Sequence, residues 1–264
     1  MKRIKYLFIS ALVTFLLTAF SWLSTKPVLY LVGDSTMANK ITEDNPERGW
    51  GQLLPEFFNH NIVIENHAMN GRSTRSFIYE GRWDSVMNKL RKGDYVVIQF
   101  GHNDESIQKT ERYCTPVEYR YNLTRFIKDV RNKGARPILC TSIQRRKFDK
   151  NGVFQDTHGD YPVYVRELAV KLNVPLVDMQ KKSEKVILEH GEEGSKKIFL
   201  HIEPGVYKSL PDGKVDNTHF SENGARLMAG LFCEGLKEMN SDLVKYFNPE
   251  YIKILTTGSS EKVH

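Results

Sequence analysis

The sequence predicts an α/β protein, a three-layer α/β/α sandwich built on a five-stranded parallel sheet. Three observations lead there. Short apolar runs rich in β-branched residues alternate with longer amphipathic stretches, the pattern of successive βαβ units. Apolar residues form 40% of the chain and charged residues 27%, enough hydrophobic material for a layered core. The 264 residues fit one domain with extensions at its ends, and hence one active site.

Strands are expected at 28–32, 62–65, 95–100, 137–143 and 176–179, and the helices between them at 50–58, 83–90, 117–133 and 161–172. A last helix at 222–239 repeats apolar residues every three to four positions (Ala225, Met228, Leu231, Phe232, Leu236), a face suited to packing on a sheet. Right-handed crossovers then give a doubly wound sheet with its ligand crevice at the carboxyl ends of the strands. Residues 145–160 and 200–215 carry Gly152, Gly159, Pro204, Gly205, Pro211 and Gly213 and read as long loops that wall a cleft.

The ends read differently. Lys2, Arg3 and Lys5 precede an apolar run from Tyr6 to Phe20 and then the smaller, more polar Ser21 to Lys26, with Ala19 and Ser21 as small residues before a cleavage point, which is the layout of a signal peptide over 1–24. An uncleaved anchor is the alternative, since the apolar stretch approaches the ~18 to 20 residues that span a bilayer. The domain is expected over 27–240 and a peripheral tail over 241–264, with export to periplasm or medium and no stable membrane association after cleavage. The net charge of +6 is spread along the chain without a nucleic-acid module, so no nucleic-acid partner is expected. Cys114, Cys140 and Cys233 are odd in number; Cys140 and Cys233 lie in apolar surroundings and read as small buried side chains. No C-x-x-C or His-rich cluster calls for a metal, and no cofactor is expected.

Four loops carry candidate chemistry. Gly33-Asp34-Ser35-Thr36 follows the first strand and would set Ser35 on a sharp strand-to-helix turn, where helix-start amides favour negative charge. Its bland reading is an N-cap. Asp216-Asn217-Thr218-His219 precedes the last helix; the spacing lets the carboxylate reach Nδ1 of the imidazole and leaves Nε2 free to take a serine proton. Alone, it is a capping Asp beside a surface His. Asn103 in Gly101-His102-Asn103-Asp104 and Gly71 in Asn66-His67-Ala68-Met69-Asn70-Gly71 could donate a side-chain amide and a backbone N–H to an oxyanion. Each could also be turn chemistry. His102 and Asp104 together are too few for a persuasive metal site. Arg72, Arg75, Arg145 and Arg146 fall on the loops expected near the cleft, either attracting substrate carboxylates or serving as structural or solvated arginines.

In this order the four blocks resemble those of the SGNH (GDSL-like) hydrolases: Gly-Asp-Ser, a Gly block, Gly-x-Asn-Asp and Asp-x-x-His, spanning Val28 to Met239. The resemblance implies a flavodoxin-like SGNH fold, with Ser35 as nucleophile, His219 as general base and Asp216 as its orienting acid. It implies an oxyanion hole of the Ser35 and Gly71 amides and the Asn103 side chain. The wider context is similar to the rhamnogalacturonan acetylesterase branch, which deacetylates pectin: Thr36-Met37, Asn66-His67-Ala68, Gly71 through Phe77, and Phe220 with Gly224-Ala225. Fungal members of that branch carry disulfides, and the three cysteines here offer no such framework, so the likeness is closer to bacterial members. Acetylated polysaccharide is thus the expected partner. The rivals are an acetylxylan esterase, a short-chain lipase or thioesterase, and a carbohydrate-binding module without catalysis.

Overall fold

The computed structural model describes residues 26–251, so the expected signal peptide and the chain from 252 onward lie outside the described residues. Within it, the five apolar runs form parallel strands: β1 (Val28–Gly33), β2 (Val63–Asn66), β3 (Tyr95–Gln99), β4 (Arg136–Cys140) and β5 (Leu176–Val177). Their order is β2-β1-β3-β4-β5. The winding reverses between β1 and β3, whose register pairs Gly33 with Gln99, so the loops leaving these two strands begin side by side and open a crevice. The fourth strand stops at Cys140, three residues earlier than its apolar run suggests. Beyond it Thr141 Oγ1 donates to Asp178 and Ser142 Oγ to the Phe100 carbonyl.

Successive side chains leave opposite faces of a strand. Leu29, Leu31, Val97, Ile138 and Cys140 enter one core, and Val28, Tyr30, Val32, Val96, Ile98 and Leu139 the other. Both faces are covered, which is why these strands read as continuous apolar runs rather than as alternating ones.

The helices are α1 (Trp50–Leu53, continued by a 3-10 turn Leu54–Phe57), α2 (Thr74–Tyr79), α3 (Arg82–Lys89), α4 (Pro116–Asn132), α5 (Tyr161–Lys171), α6 (Met179–Gly194) and α7 (Glu222–Glu238). Trp50, Ile187, Met228 and Phe232 of α1, α6 and α7 fill the first core; Phe77, Trp83, Phe126 and Val165 of α2 to α5 fill the second. Phe126 and Phe232 are fully buried, a transfer worth about 1.5 to 3 kcal/mol for each such side chain. Helix starts follow local chemistry. Thr115 Oγ1 accepts from the Glu118 amide ahead of Pro116, and Ser221 Oγ accepts from the Gly224 amide.

Two segments depart from the sequence reading. Residues 200–215 are not all loop: β6 (Phe199–Ile202) and β7 (Lys214–Phe220) form an antiparallel hairpin outside the main sheet. Its tip is tied down by Asp44, whose carboxylate accepts from the Lys208 amide at 3.1 Å and the Ser209 amide at 2.6 Å. The segment after Met239 is not peripheral as far as it is described. A 3-10 turn (Asp242–Tyr246) buries Leu243, and Phe247 stacks edge-on against Phe58 at 5.1 Å. Residues 145–160 form a loop, closed on itself by a Phe148–Phe154 bridge.

Candidate active site

The first loop is built on Asp34. Its buried carboxylate accepts from the Thr36 amide at 2.9 Å and the Thr36 hydroxyl at 2.8 Å, a local turn that turns the chain sharply after β1. The Met37 and Ala38 amides also close on the Asp34 carbonyl. Ser35 therefore sits in an isolated turn and not at a helix start; the next helix, α1, begins only at Trp50. Gly33 is needed for closeness to β3, since a Cβ there would lie 2.7 Å from the Gln99 carbonyl oxygen. Beneath the turn, Trp50 Nε1 donates to Gln99 Oε1 at 3.0 Å and Gln99 Nε2 donates to Thr36 Oγ1 at 2.8 Å. Every polar atom of that relay has a partner, so the serine turn is held from below.

The second and third loops are fastened to the first. Asn66 Nδ2 donates to the Met37 carbonyl at 2.8 Å, and the Met69 amide to the Gly33 carbonyl at 3.0 Å. Gly71 has φ +74°, a left-handed conformation that strains any residue with a Cβ. His102 Nδ1 lies 3.2 Å from Asp34 Oδ2. Burial works to raise the Asp34 pKa, but the charge and hydrogen bond of His102 and the bonds from Thr36 outweigh it and hold the carboxyl below its usual range. Burial conversely lowers the His102 pKa, against the pull of Asp34. His102 and Asp104 do not converge on a common point: His102 turns to Asp34, and Asp104 Oδ1 accepts from the Thr74 amide and hydroxyl at 2.9 and 2.6 Å. Among the described residues no group of three or more His, Cys, Asp or Glu could hold a metal ion.

Asp216 and His219 stand on β7, where the pairing slips from Phe199↔Phe220 to Leu200↔Asp216 and leaves residues 217–219 as a bulge. Asp216 Oδ1 accepts from the Thr218 and His219 amides at 2.8 and 2.9 Å. Its Oδ2 lies 2.8 Å from His219 Nδ1, and His219 Nε2 lies 2.8 Å from Ser35 Oγ, across 184 residues of sequence. Burial pushes the Asp216 pKa up, yet the His219 ring and amide and the Thr218 amide outweigh it, so the carboxyl stays well below the carboxylate range. An ionised carboxylate only accepts, so Nδ1 carries the proton and Nε2 is left to accept from the Ser35 hydroxyl. The arrangement can move the hydroxyl proton to Nε2.

Asn103 Nδ2 donates to the Arg72 carbonyl at 3.0 Å, and its Oδ1 accepts from Arg112 Nη1 at 2.9 Å. Arg112 carries no signal in the sequence, because the loop between Asp104 and Thr115 has no periodicity or motif to mark it. The support at Asn217 is equally silent there. Arg146 Nη1 and His201 Nε2 both meet Asn217 Oδ1, at 3.1 and 2.8 Å, and the Arg146 amide donates to the Asn217 carbonyl.

The four arginines expected at the cleft are all engaged internally. Arg146 is buried, with Nε on the Ser195 hydroxyl and Nη2 on the Glu192 carbonyl, and it braces the bulge. Arg72 pairs with Glu80 at 3.0 Å, Arg75 with Glu118, and Arg145 with Glu105 at 2.6 Å. The cysteines are free and buried, and burial pushes the Cys114 thiol up to about 12.

A doubly wound α/β/α sheet carrying three of these blocks on its carboxyl edge, with the fourth brought to Ser35 by the β6–β7 hairpin, defines the class as SGNH hydrolase. The chain belongs to the GDSL-like Lipase/Acylhydrolase family, whose sequence model matches residues 31–227. It is 41% identical over 219 residues to a rhamnogalacturonan acetylesterase (RhgT) of Bacillus subtilis, covering 83% of this chain and 93% of that protein. It is 36% identical to a probable rhamnogalacturonan acetylesterase (YesY) of the same organism, covering 82% and 95%. Among solved structures, YxiM of Bacillus subtilis superposes with a TM-score of 0.70 at 26% identity, over 82% of this chain and 57% of that longer one. The acetylxylan esterase Axe2 of Geobacillus stearothermophilus shares the fold, with a TM-score of 0.57 at 18% identity over 83% and 96%.

Proposed function

We propose that this chain is a serine esterase that removes O-acetyl groups from acetylated rhamnogalacturonan through an acetyl-enzyme on Ser35. The observation that carries the chemistry is the 2.8 Å contact from Ser35 Oγ to His219 Nε2, with Asp216 at the other ring nitrogen. Likeness to a rhamnogalacturonan acetylesterase along 93% of that protein supports the substrate.

Ser35 Oγ attacks the acetyl carbonyl while His219 Nε2 takes its proton, and Asp216 stabilises the imidazolium. The Ser35 and Gly71 amides and the Asn103 side chain receive the oxyanion. The tetrahedral species collapses to acetyl-Ser35, and the sugar alcohol leaves with the proton from His219. Water, deprotonated by His219, then attacks the acetyl-enzyme, and acetate departs as Ser35 regains its proton. No cofactor is needed by these steps.

Acetylated xylan is the second reading, favoured by the shared fold with Axe2 alone. The basic, apolar and small-residue pattern of 1–24 supports export to periplasm or medium, and among the described residues no helix is long and apolar enough to cross a membrane. The test is acetate release from acetylated rhamnogalacturonan, acetylated xylan and a short-chain aryl ester by wild type and Ser35→Ala. The proposal expects the pectic polymer to be the best polymeric substrate and Ser35→Ala to be inactive. Preference for xylan, or activity that survives Ser35→Ala, would overturn it.

A further inference from the structure

We infer that Arg112 is a positioning residue for the oxyanion site, holding the Asn103 carboxamide by its oxygen and polarising the N–H that faces the reaction. The inference rests on the esterase reading above but not on the identity of the polymer.

A primary amide has two N–H bonds and one oxygen. In Asn103 one N–H is spent on the Arg72 carbonyl at 3.0 Å and the oxygen on Arg112 Nη1 at 2.9 Å, which leaves one N–H to give. The two partners also fix which way the amide points. Reversed, it would set its oxygen against the Arg72 carbonyl and its NH₂ against a guanidinium that can only donate. The bond at the oxygen is charge-assisted and draws electron density from the amide, so the remaining N–H becomes a stronger donor to an oxyanion.

The same guanidinium covers the other loop of the site. A Cβ placed on Gly71 would lie 3.3 Å from Arg112 Nη1, so the cation packs directly over the residue whose backbone amide is the second donor. Its charge is only weakly offset: among the described residues the one carboxylate paired with it, Glu111 Oε1 at 3.0 Å from Nε, belongs to a side chain 65% exposed and screened by water. Local backbone bonds deliver Arg112 to this spot. The Arg112 and Tyr113 amides fold onto the Lys109 carbonyl, and the Cys114 amide returns to the Asp104 carbonyl, so the loop that leaves the Asn103 block comes back to it.

The experiment is a double-mutant cycle on Arg112 and Asn103, read with an uncharged aryl acetate and with acetylated pectic polymer. With the aryl acetate, Arg112→Ala should lower kcat about tenfold or more with KM within about twofold, a part of the ~10² to 10³ that a whole oxyanion donor supplies. Arg112→Lys, which keeps a cationic donor, should recover most of the loss. In the Asn103→Ala background, removing Arg112 should cost less than about twofold, because the two act as one unit. Unchanged kcat in Arg112→Ala would overturn the inference, as would equal losses with and without Asn103. A defect confined to KM on the acidic polymer would make Arg112 a substrate contact instead and also overturn it. Wild type active on the aryl ester but not on the pectic polymer would sink the polymer assignment and leave this inference standing; wild type inactive on every ester would remove its basis.

Discussion

His219 Nδ1 lies 2.8 Å from Asp216 Oδ2 although both residues occupy one strand, because the slip in pairing with β6 frees residues 217–219 to loop out between them. Regular strand geometry would turn two side chains three apart to opposite faces. The bulge cancels that alternation, and Asp216 closes it by accepting the Thr218 and His219 amides.

The carboxylate fixes the proton on Nδ1, so Asp216→Asn should leave the fold intact and lower kcat by about 10³ to 10⁴ by favouring the wrong tautomer. Steady-state turnover of an aryl acetate checks it. A loss under about tenfold would contradict the role given to Asp216.

Bracing of the bulge by Arg146 predicts a stability defect joined to an activity defect. Arg146→Ala takes one donor each from the Glu192 carbonyl, the Ser195 hydroxyl and the Asn217 amide oxygen; the carbonyl keeps Ser195 Oγ and the amide oxygen His201. A loss of roughly 2 to 4 kcal/mol is expected from urea unfolding, with a reduced kcat and no change in the salt dependence of KM on acidic polymer. Stability equal to wild type would contradict the bracing.

Asp104 gives a pH prediction. It is fully buried, its Oδ2 has no hydrogen-bond partner among the described residues, and burial pushes its pKa up to about 7 despite the bonds from Thr74. An acid whose folded pKa is raised stabilises the fold fully below its unfolded value near 3.8 and loses that contribution as pH rises to about 7. The contribution of this group should therefore fall across that window, by roughly 4 kcal/mol at most. Asp104→Asn removes it, so the stability of the variant relative to wild type should rise between about pH 4 and 7 in thermal unfolding measured at several pH values. Parallel curves for the two proteins would contradict it.

Much of this molecule can be read in its sequence, and the limits are physical. The five strands declare themselves because burial on both faces makes them short, continuous apolar runs. Asp216 and His219 can be read together because they stand three positions apart, and Gly71 and Asn103 because each follows a strand. The β6–β7 hairpin was hidden: His201, Lys214 and Asp216 break its apolar pattern, and Pro204, Gly205, Pro211 and Gly213 between the strands signal loop. Helix α2 opens with a capping box of Ser73 and Ser76 in place of the more familiar Ser-x-x-Glu. Helix α6 shows only a sparse apolar face in a run of Lys and Glu. The arginines could not be resolved, since Glu80, Glu118 and Glu105 are paired with them by the fold and not by local spacing.

The account turns on Ser35 being a nucleophile activated by His219. The direct measurement is reaction with a fluorophosphonate, followed by peptide mass mapping of wild type, His219→Ala and Asp104→Asn. The account predicts a single adduct on the peptide holding Ser35, formed at wild-type extent in Asp104→Asn and abolished or greatly slowed in His219→Ala. An adduct elsewhere, no adduct at all, or full-speed labelling without His219 would contradict it.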